Sequence, residues 1–558
     1  MKNIILKWAL KNAIDHNGKA LAGFVINKII GEYPELRRDM KALATETKKI
    51  IDEVNKMKME EQEKELLKIW PDALEKKVEE KKELQELPNV EPKKVVLRLA
   101  PFPSGALHIG NAKTYMLNAF YAEKYNGKLI FVIDDTISSE EKQIVSEAYD
   151  LIPDGFKWLG VKWSGDIIYK SDRLPIYYKY AEDILKKQKA YICECSNEEL
   201  KKNRANGKEC RCRSQDVETN LKKWKKMLDG EYKEGEAVVR IKTSMTHPNP
   251  AFRDRVLLRI SEREHPRVGK KYRVWPMLEF SWAVDDHLLG VTHVIRGKDL
   301  MMESEMCKYI WHIFGWEAPV LLHTGLIHIE GVKISKSKAQ KEVIEGKYIG
   351  WDDPRTWSLQ SLRRRGILPE AIRQFFFEMG MNQKDITVPI DKLYSINRRL
   401  IDKKSNRYFF VPNPVKFSVE KIPAMQISVC LYPGEPEKGI KKYAFKGSRI
   451  FLLPKEEIAA MTKGDIFRLK DAFAIKIKTK NSGEFIETSD LNMPKLQWTT
   501  EECVDVDVMM DDGTIIAGAG EGYLKNVNVG EHLQFERFGY VRVDKKEQKK
   551  IVCWFTHK

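Results

Sequence analysis

The sequence predicts a multidomain chain of mixed α/β and β class: an N-terminal helical extension, a nucleotide-binding α/β domain, a helical domain and C-terminal antiparallel β-barrels. Apolar residues recur every three or four positions from Leu36 to Met57. A strand, a glycine-containing turn and a helix follow one another between Lys94 and Gly127, and short β-rich runs separated by turn residues begin near residue 407. The 558 residues are enough for several cores at about 100–200 residues per domain.

Composition favours a polyanionic partner. The chain has 97 Lys and Arg against 81 Asp and Glu, a formal charge of +16. Nucleic acid is the first candidate, and a well-solvated surface is the alternative. No apolar run is long enough for a membrane span, and the N-terminus lacks a secretory signal. We therefore expect no membrane association, a cytoplasmic location and a monomer.

Residues 1–90 form the predicted helical extension. Lys and Glu cover the face opposite the apolar positions from Leu36 to Met57, as in an amphipathic helix. The charged run from Ala73 to Leu87 has the same character, and Pro88 and Pro92 end it at a first domain boundary. The extension either contacts an RNA or protein partner or only packs on the body of the protein.

Residues 94–189 contain a βαβ unit. The run from Val95 to Leu99 and the run KLIFVIDD, which ends at Asp135, are strands, and a helix between them stops near Gly127. Ligands of a parallel sheet lie beyond the carboxyl ends of its strands. Arg98, Asp134 and the loop 101–111 should therefore converge on one crevice of a Rossmann-like domain.

The loop PSGALHIGN has the chemistry of a phosphate site although the Walker A and GxGxxG patterns are absent. Its proline and glycines let the backbone turn close to a ligand, its histidine can donate to phosphate oxygens, and the following helix begins with its positive dipole end. The residues expected to contact a nucleotide here are Pro103, Ser104, Gly105, His108 and Gly110.

Residues 190–272 form an insertion with four cysteines. Cys193 and Cys195 make one C-x-C pair, and Cys210 and Cys212 make a second one. Four thiolates at this spacing can surround a tetrahedral zinc, whereas four reduced, unligated thiols are the alternative. Alternating residues after Glu236 predict strands against which the 3′ end of an RNA could lie.

Three stretches of the sequence resemble motifs of a known enzyme family. LRLAPFPSGALHIGN resembles the first signature motif of class I aminoacyl-tRNA synthetases, and the spacing of Arg98 before it is similar to that of the glutamyl/glutaminyl branch. IDDT, which ends at Thr136, resembles the acidic segment of the same branch. The run from Lys333 to Ser337, KISKS, resembles the second signature motif.

The resemblance implies an ATP-dependent ligase that forms an aminoacyl-adenylate and transfers the amino acid to tRNA. It implies His108, Asn111 and Lys336 as catalytic residues, with Asn111 standing where the family has histidine. It adds Lys333, Ser335, Lys336 and Ser337 to the ATP contacts, Mg²⁺ as the ion of ATP, and a structural Zn²⁺ in the insertion.

The same resemblance implies L-glutamate as the amino acid. Arg98 and Arg296 fall where glutamate enzymes bind the side-chain carboxylate, and Asp134 falls where the α-ammonium group is bound. A guanidinium matches a carboxylate better than a neutral amide. Trp282 and Leu278 complete the expected pocket, although relatives commonly have tyrosine in place of Leu278.

The C-terminal half completes the resemblance. Residues 346–406 resemble the helical stem-contact domain, where Arg363, Arg364 and Arg365 are expected to contact the tRNA backbone. β-Barrels after residue 407 are typical of the archaeal-type branch, whose partners are tRNA(Glu) and, as a further candidate, tRNA(Gln).

A glutaminyl enzyme of the same architecture and a non-catalytic tRNA-binding relative are the alternatives. The predicted domains are 1–90, 94–189, 190–272, 273–345, 346–406 and 407–558.

Overall fold

The computed structural model describes residues 2–15, 18–33, 36, 39–71, 73, 83–91, 94–137, 143–332, 336–490 and 492–558. For Lys336 and Ser337 it describes the backbone alone. The chain separates into two compact units, residues 1–83 and 84–558.

The N-terminal unit is helical. Its helices are α1 (Lys2–Asp15), α2 (Ala22–Glu32), α3 (Met40–Val54) and α4 (Met59–Ile69). The helix predicted from the apolar spacing is confirmed as α3, because Leu43, Ile50 and Val54 all lie in the buried core. Residues 74–82 of the second predicted helix lie outside the described residues.

The second predicted helix is wrong at its C-terminal end, because residues 83–87 form no helix. Leu84 and Leu87 are buried against the core of the larger unit instead. Pro88 follows directly and disfavours the helical conformation of the residue before it.

Parallel strands form the nucleotide-binding half. In chain order the elements are β1 (Val96–Leu99), α5 (Ile109–Lys124), β2 (Lys128–Ile133), α6 (Ala148–Trp158), β3 (Ile168–Tyr169) and α7 (Leu174–Lys186). The strand order is β1-β2-β3, and both pairings are parallel. The predicted βαβ unit is confirmed, and Arg98 and Asp134 lie at the carboxyl ends of β1 and β2.

The insertion is built on an antiparallel sheet. It contains β4 (Ala190–Cys193), α8 (Asn197–Asn206), α9 (Val217–Asp229), β5 (Val238–Ile241), β6 (Val256–Ile260) and β7 (Val274–Pro276). The strands follow the order β4-β5-β6-β7. The strands predicted after Glu236 are confirmed as β5 and β6.

The chain then returns to the parallel fold. The elements are α10 (Leu278–Leu288), β8 (His293–Gly297), α11 (Met301–Phe314), β9 (Val320–Thr324), β10 (Ile327–Glu330) and α12 (Lys336–Ile344). β8 and β9 are parallel, and the amide of Thr292 donates to the carbonyl of Val96 at 3.0 Å, which brings β8 beside β1. Arg296 therefore lies near the end of a strand adjacent to the nucleotide-binding half.

A helical segment precedes the C-terminal sheets. It contains α13 (Leu359–Arg365), α14 (Pro369–Met379), β11 (Ile386–Pro389) and α15 (Asp391–Ile401). None of the helices that the structure describes is both long and apolar enough to cross a membrane.

Over residues 406–490 and 492–557 the chain forms two seven-stranded sheets. The elements are β12 (Asn406–Tyr408), β13 (Phe410–Pro412), β14 (Pro414–Cys430), β15 (Ile440–Pro454), α16 (Lys455–Ala459), β16 (Ile466–Leu469), β17 (Ala474–Thr479), β18 (Ser482–Ile486), β19 (Lys495–Leu496), β20 (Thr499–Thr500), β21 (Val504–Met509), β22 (Ile515–Gly520), β23 (His532–Phe535), β24 (Gly539–Lys546) and β25 (Lys550–His557). Most pairings are antiparallel, and β14–β18, β16–β19, β12–β23 and β21–β25 are parallel. Aromatic residues such as Phe417, Phe451 and Trp498 fill one core.

Candidate active site and cysteine cluster

Helix α10 lies at the centre of the candidate site and carries three buried acids. Glu279, Asp285 and Asp286 are each no more than 1% exposed. Burial raises the pKa of Glu279 and of Asp285. Each acid has a cationic partner: Arg255 for Glu279, Arg173 for Asp285 and Arg98 for Asp286. Such pairing is required for charged groups in a dry interior.

Arg98 lies in the pocket but is already bound within the protein. Its Nη2 donates to Asp286 Oδ2 at 3.2 Å, and its guanidinium carbon lies 3.6 Å from the centre of the Trp282 ring. The structure thus brings Arg98 and Trp282 together as the sequence predicted. Sequence reasoning missed Asp286, because the partner is 188 residues away along the chain.

Asp134 lies in the same pocket and has two side-chain donors. Thr136 Oγ1 donates to Asp134 Oδ1, and Lys170 Nζ donates to Asp134 Oδ2, each at 3.0 Å. Lys170 Nζ also donates to Ser281 Oγ at 2.7 Å and lies 3.5 Å from the centre of the Trp282 ring. Lys170 is fully buried, and burial lowers its pKa.

Sequence reasoning missed Lys170 although a signal exists. Lys170 follows β3 directly, so it stands at the carboxyl end of a strand in a parallel sheet, where ligands bind. The strand has only two residues and therefore shows no alternation that would have revealed it.

Arg296, near the end of β8, differs from Arg98 in its partners. It is 5% exposed, its Nη2 donates to Cys307 Sγ at 3.9 Å, and its Nε has no hydrogen-bond partner in the part of the chain that the structure describes. Among the same residues it forms no ion pair with an acid. Such a guanidinium is costly to bury without a carboxylate, and an anionic ligand would neutralise it.

Leu278 begins α10 and is half-buried. It packs against the apolar cluster that contains Phe280 and Trp282. It therefore supplies an apolar wall, and the hydroxyl of Ser281, one turn further along, points instead at Lys170.

The turn before α5 is held by reciprocal hydrogen bonds between His108 and Asn111. The amide of Asn111 donates to His108 Nδ1 at 3.3 Å, and the amide of His108 donates to Asn111 Oδ1 at 3.1 Å. This is a capping box, which satisfies two otherwise unpaired amides at the start of a helix. An accepting Nδ1 puts the proton of the neutral imidazole on Nε2, a tautomer able to donate to phosphate.

Gly105 makes the closest approach in this turn. Its φ is +126°, and a Cβ at this position would lie 2.1 Å from the indole of Trp351. The segment after Trp351 also binds the turn, since the amide of Ile109 donates to the carbonyl of Trp357. Pro103 is buried, whereas Ser104 and Gly110 are half-buried at the turn and at the second position of α5.

The predicted contacts of the second motif lie mostly outside the described residues. Lys333 and Ser335 are not described, and the backbone of Lys336 and Ser337 forms the start of α12. Their roles stay predictions.

The four cysteines of the insertion come together. All four thiol sulfurs lie within 4.8 Å of one another and are buried. Cys193 Sγ and Cys210 Sγ are 3.7 Å apart, and Cys195 Sγ and Cys212 Sγ are 4.0 Å apart. A tetrahedral zinc with Zn–S bonds of about 2.3 Å separates its sulfurs by about 3.8 Å, so this cluster fits the ion.

A buried arginine contacts the cluster. Arg240 is 1% exposed, and its Nη1 lies 3.7 Å from both Cys193 Sγ and Cys210 Sγ. The hydrogen bond from Cys193, with those from Tyr191 and the nearby Arg240, lowers the pKa of Cys210 to about 4. The same hydrogen bond raises the pKa of Cys193, whereas the Arg240 cation favours at both sulfurs the thiolate, the form that binds metals.

Arginines of the insertion and of α13 are bound within the protein. Arg255 pairs with Glu279 and Glu303, and Arg253 donates to the carbonyls of His247, Arg204 and Ala205. In α13, Arg363 pairs with Asp154, Arg364 pairs with Asp544, and Arg365 donates to the carbonyl of Phe555. These carboxylate and carbonyl partners are remote in sequence, and contact of the three arginines with the tRNA backbone stays a prediction.

The chain is similar to known proteins along its whole length. The family described as "tRNA synthetases class I (E and Q), catalytic domain" matches residues 94–403. The anticodon-binding domains of the same group match residues 405–493 and 494–544. Proteins named glutamate–tRNA ligase are similar over 100% of both chains: 44% identity for Pyrococcus furiosus, 43% for Thermococcus kodakarensis and 41% for Methanosphaera stadtmanae.

Proposed function

Since the chain belongs to the class I tRNA synthetases of the glutamate and glutamine group, we propose that it joins L-glutamate to the 3′ end of tRNA(Glu) in an ATP-dependent reaction. The relatives named glutamate–tRNA ligase support this activity over the full length of the chain.

The reaction has two steps. An oxygen of the glutamate α-carboxylate attacks the α-phosphorus of ATP, the bond to the β-phosphate breaks, and pyrophosphate leaves. A hydroxyl of the terminal tRNA ribose then attacks the carbonyl carbon, loses its proton, and displaces AMP. ATP enters as its Mg²⁺ complex, which its own phosphates hold.

The protein contributes mainly position and electrostatics to the first step. We assign His108 to the phosphates through its Nε2–H, supported by the capping box that fixes its ring. Asn111 supports that ring rather than carrying charge, and the N-terminus of α5 adds its positive dipole end. Lys336 at the start of α12 is the second cation proposed for the phosphates.

The unpaired guanidinium of Arg296 is the observation that carries the choice of glutamate. A side-chain carboxylate would neutralise this buried cation, whereas the amide of glutamine would leave it uncompensated. Arg98 shares its charge with Asp286 and so contributes less. Asp134 is proposed to receive the α-ammonium group, while Leu278 and Trp282 line the apolar part of the pocket.

The four cysteines are proposed to hold a structural Zn²⁺, since their spacing fits its tetrahedral geometry. When bound, the ion would cross-link β4 to the segment after α8. The insertion that it stabilises is the part of the chain proposed to receive the 3′ end of the tRNA.

One assay tests the function. Transcripts of tRNA(Glu) and tRNA(Gln) are incubated with ATP and labelled glutamate or labelled glutamine. We expect charging of tRNA(Glu) with glutamate and no charging with glutamine. Charging of tRNA(Gln) with glutamate would extend the range of acceptors. Charging with glutamine alone would contradict the role of Arg296, and tRNA binding without any charging would indicate a non-catalytic relative.

A further inference from the structure

We propose that Lys170 determines how the pocket recognises its amino acid: its ammonium group neutralises Asp134, so that the α-ammonium group of the substrate adds little to binding. The inference rests on the proposed function and concerns the same pocket. It adds a residue to which neither the signature motifs nor the comparisons assign a role.

Lys170 is held in place by the structure around it. Its side chain is fully buried and has partners in Asp134, Ser281 and the Trp282 ring. The next residue, Ser171, is anchored through its amide and its hydroxyl to the buried carboxylate of Asp135, at 2.8 and 2.7 Å. A backbone fixed in this way keeps the ammonium group in the pocket.

Both carboxylate oxygens of Asp134 are engaged in the structure. Thr136 donates to Oδ1 and Lys170 to Oδ2. A carboxylate has further lone pairs, so it can still accept from an α-ammonium group. That second ammonium, however, would lie close to Lys170. The repulsion between two unit charges equals the attraction of opposite charges at the same distance, so most of the electrostatic gain is cancelled.

The carboxylates of the substrate, in contrast to its ammonium group, are attracted by a buried cation. Arg296 is a buried cation without an acidic partner among the described residues, whereas the charge of Lys170 is balanced by Asp134. The pocket should therefore select for a substrate carboxylate and only weakly for the amino group. Glutarate, which is glutamate without its amino group, is the probe that isolates the contribution of the amino group to binding.

The experiment compares two ligands in wild type and in Lys170→Met. The KM for L-glutamate and the competitive Ki for glutarate are measured in the charging of tRNA(Glu). For wild type we expect Ki and KM within about tenfold of each other, since the amino group adds little. Methionine keeps the unbranched shape but removes the charge, which leaves the Asp134 carboxylate to attract ammonium and repel glutarate. The ratio of Ki to KM should then rise by about tenfold or more.

Two variants serve as controls. Lys170→Arg keeps a cation and should keep the ratio of wild type. Lys441→Met removes another fully buried lysine, which is paired with Glu521 at 2.7 Å in the C-terminal sheets, and should not change the ratio. A structural effect of losing a buried ion pair would appear in both methionine variants, whereas the proposed effect appears only in Lys170→Met.

An unchanged or lower ratio in Lys170→Met would overturn the proposal. If that variant does not fold, the wild-type measurement still decides, because a Ki for glutarate about 100-fold or more above the KM for glutamate would contradict a neutralised Asp134. Absence of any wild-type charging with glutamate would refute the proposed function instead, so the two failures are distinguishable.

Discussion

The buried cations of the pocket differ in whether the protein itself neutralises them. Arg98 has Asp286, and Lys170 has Asp134. Arg296 alone among these has no acidic partner in the described part of the chain. An uncompensated charge in a dry interior lowers stability, and natural proteins keep such groups where a ligand uses them.

Replacing Arg296 should therefore weaken glutamate binding without weakening the fold. For Arg296→Gln we expect the KM for glutamate in tRNA charging to rise by about 100-fold, because a charge-assisted bidentate contact is lost. The free energy of unfolding in urea should stay the same or rise by about 1–2 kcal/mol, since an uncompensated buried charge is removed.

Arg365→Gln is the matched control for this measurement. Arg365 is also fully buried, but it donates to the carbonyls of Phe555 and Thr556. Its replacement should lower the free energy of unfolding, because two acceptors lose their donor. If Arg296→Gln destabilises the protein in the same way and leaves the KM unchanged, Arg296 is a structural residue.

Sequence could predict the parts of the site that depend on local patterns. The turn from Pro103 to Asn111 lies between a strand and a helix, and Arg98 and Asp134 stand at strand ends, so their positions follow from the order of elements. The partners Asp286 and Lys170 could not be predicted in this way, because Asp286 lies within α10 and the two-residue strand before Lys170 is too short to be recognised. Their contacts depend on tertiary packing between segments 188 and 36 residues apart.

At the scale of elements, the insertion combines local and distant contributions. The helix α8 connects the two cysteine pairs, and Ser196 and Glu199 form a capping box at its start. Arg240 comes from β5 and could not be associated with the cysteines from sequence. Its contacts with two sulfurs make it an outer partner of the proposed zinc site, and such partners commonly alter metal affinity by 10–100-fold.

Metal analysis tests this arrangement. Purified wild-type protein should contain about one zinc per chain, as expected for a site with four cysteine ligands. Cys212→Ser should contain less. Arg240→Met should bind zinc but release it to a chelator about tenfold faster, because a buried cation that stabilises two thiolates is lost.

Arg253→Met is the control, since Arg253 donates to backbone carbonyls of the same insertion and to no sulfur. Equal release rates in the two arginine variants would assign Arg240 a structural role only. Wild-type protein free of zinc would contradict the metal site itself.

At the scale of the whole molecule, α13 connects the nucleotide turn to the C-terminal sheets within residues 84–558. The amide of Leu359 at its start donates to the carbonyl of Leu107, and at its end Arg364 pairs with Asp544 of β24. The sequence showed these arginines only as a basic run. The burial of Arg365 and the pairing of Arg364 result from the return of the last two strands to this helix, which no local pattern indicates.

The same contact region contains a buried histidine that should make the fold sensitive to acid. His557 Nε2 accepts from Asn397 Nδ2 at 3.0 Å, and Asn397 Oδ1 accepts from the amide of Leu368, so the amide cannot rotate without losing a bond. Burial, together with the nearby Arg398 and Arg365, lowers the pKa of His557 to about 4.

The sign of the effect follows from linkage. The unfolded chain binds a proton at this imidazole below pH of about 6.5, whereas the folded chain does so only near the lowered pKa. The contribution of His557 to stability is therefore complete above the unfolded pKa and is lost as the pH falls from about 6.5 to about 4. Between pH 7 and pH 4.5 this loss amounts to about 2–3 kcal/mol.

Urea unfolding of wild type and of His557→Gln at pH 7 and at pH 4.5 measures this contribution. Wild type should lose about 2–3 kcal/mol more than the variant over this interval, because glutamine does not titrate. His312→Gln, which replaces an exposed histidine on α11, should lose as much as wild type. Equal losses in wild type and His557→Gln would mean that the junction between α15 and β25 tolerates the charged imidazole. The acid sensitivity of the molecule would then originate at another buried group.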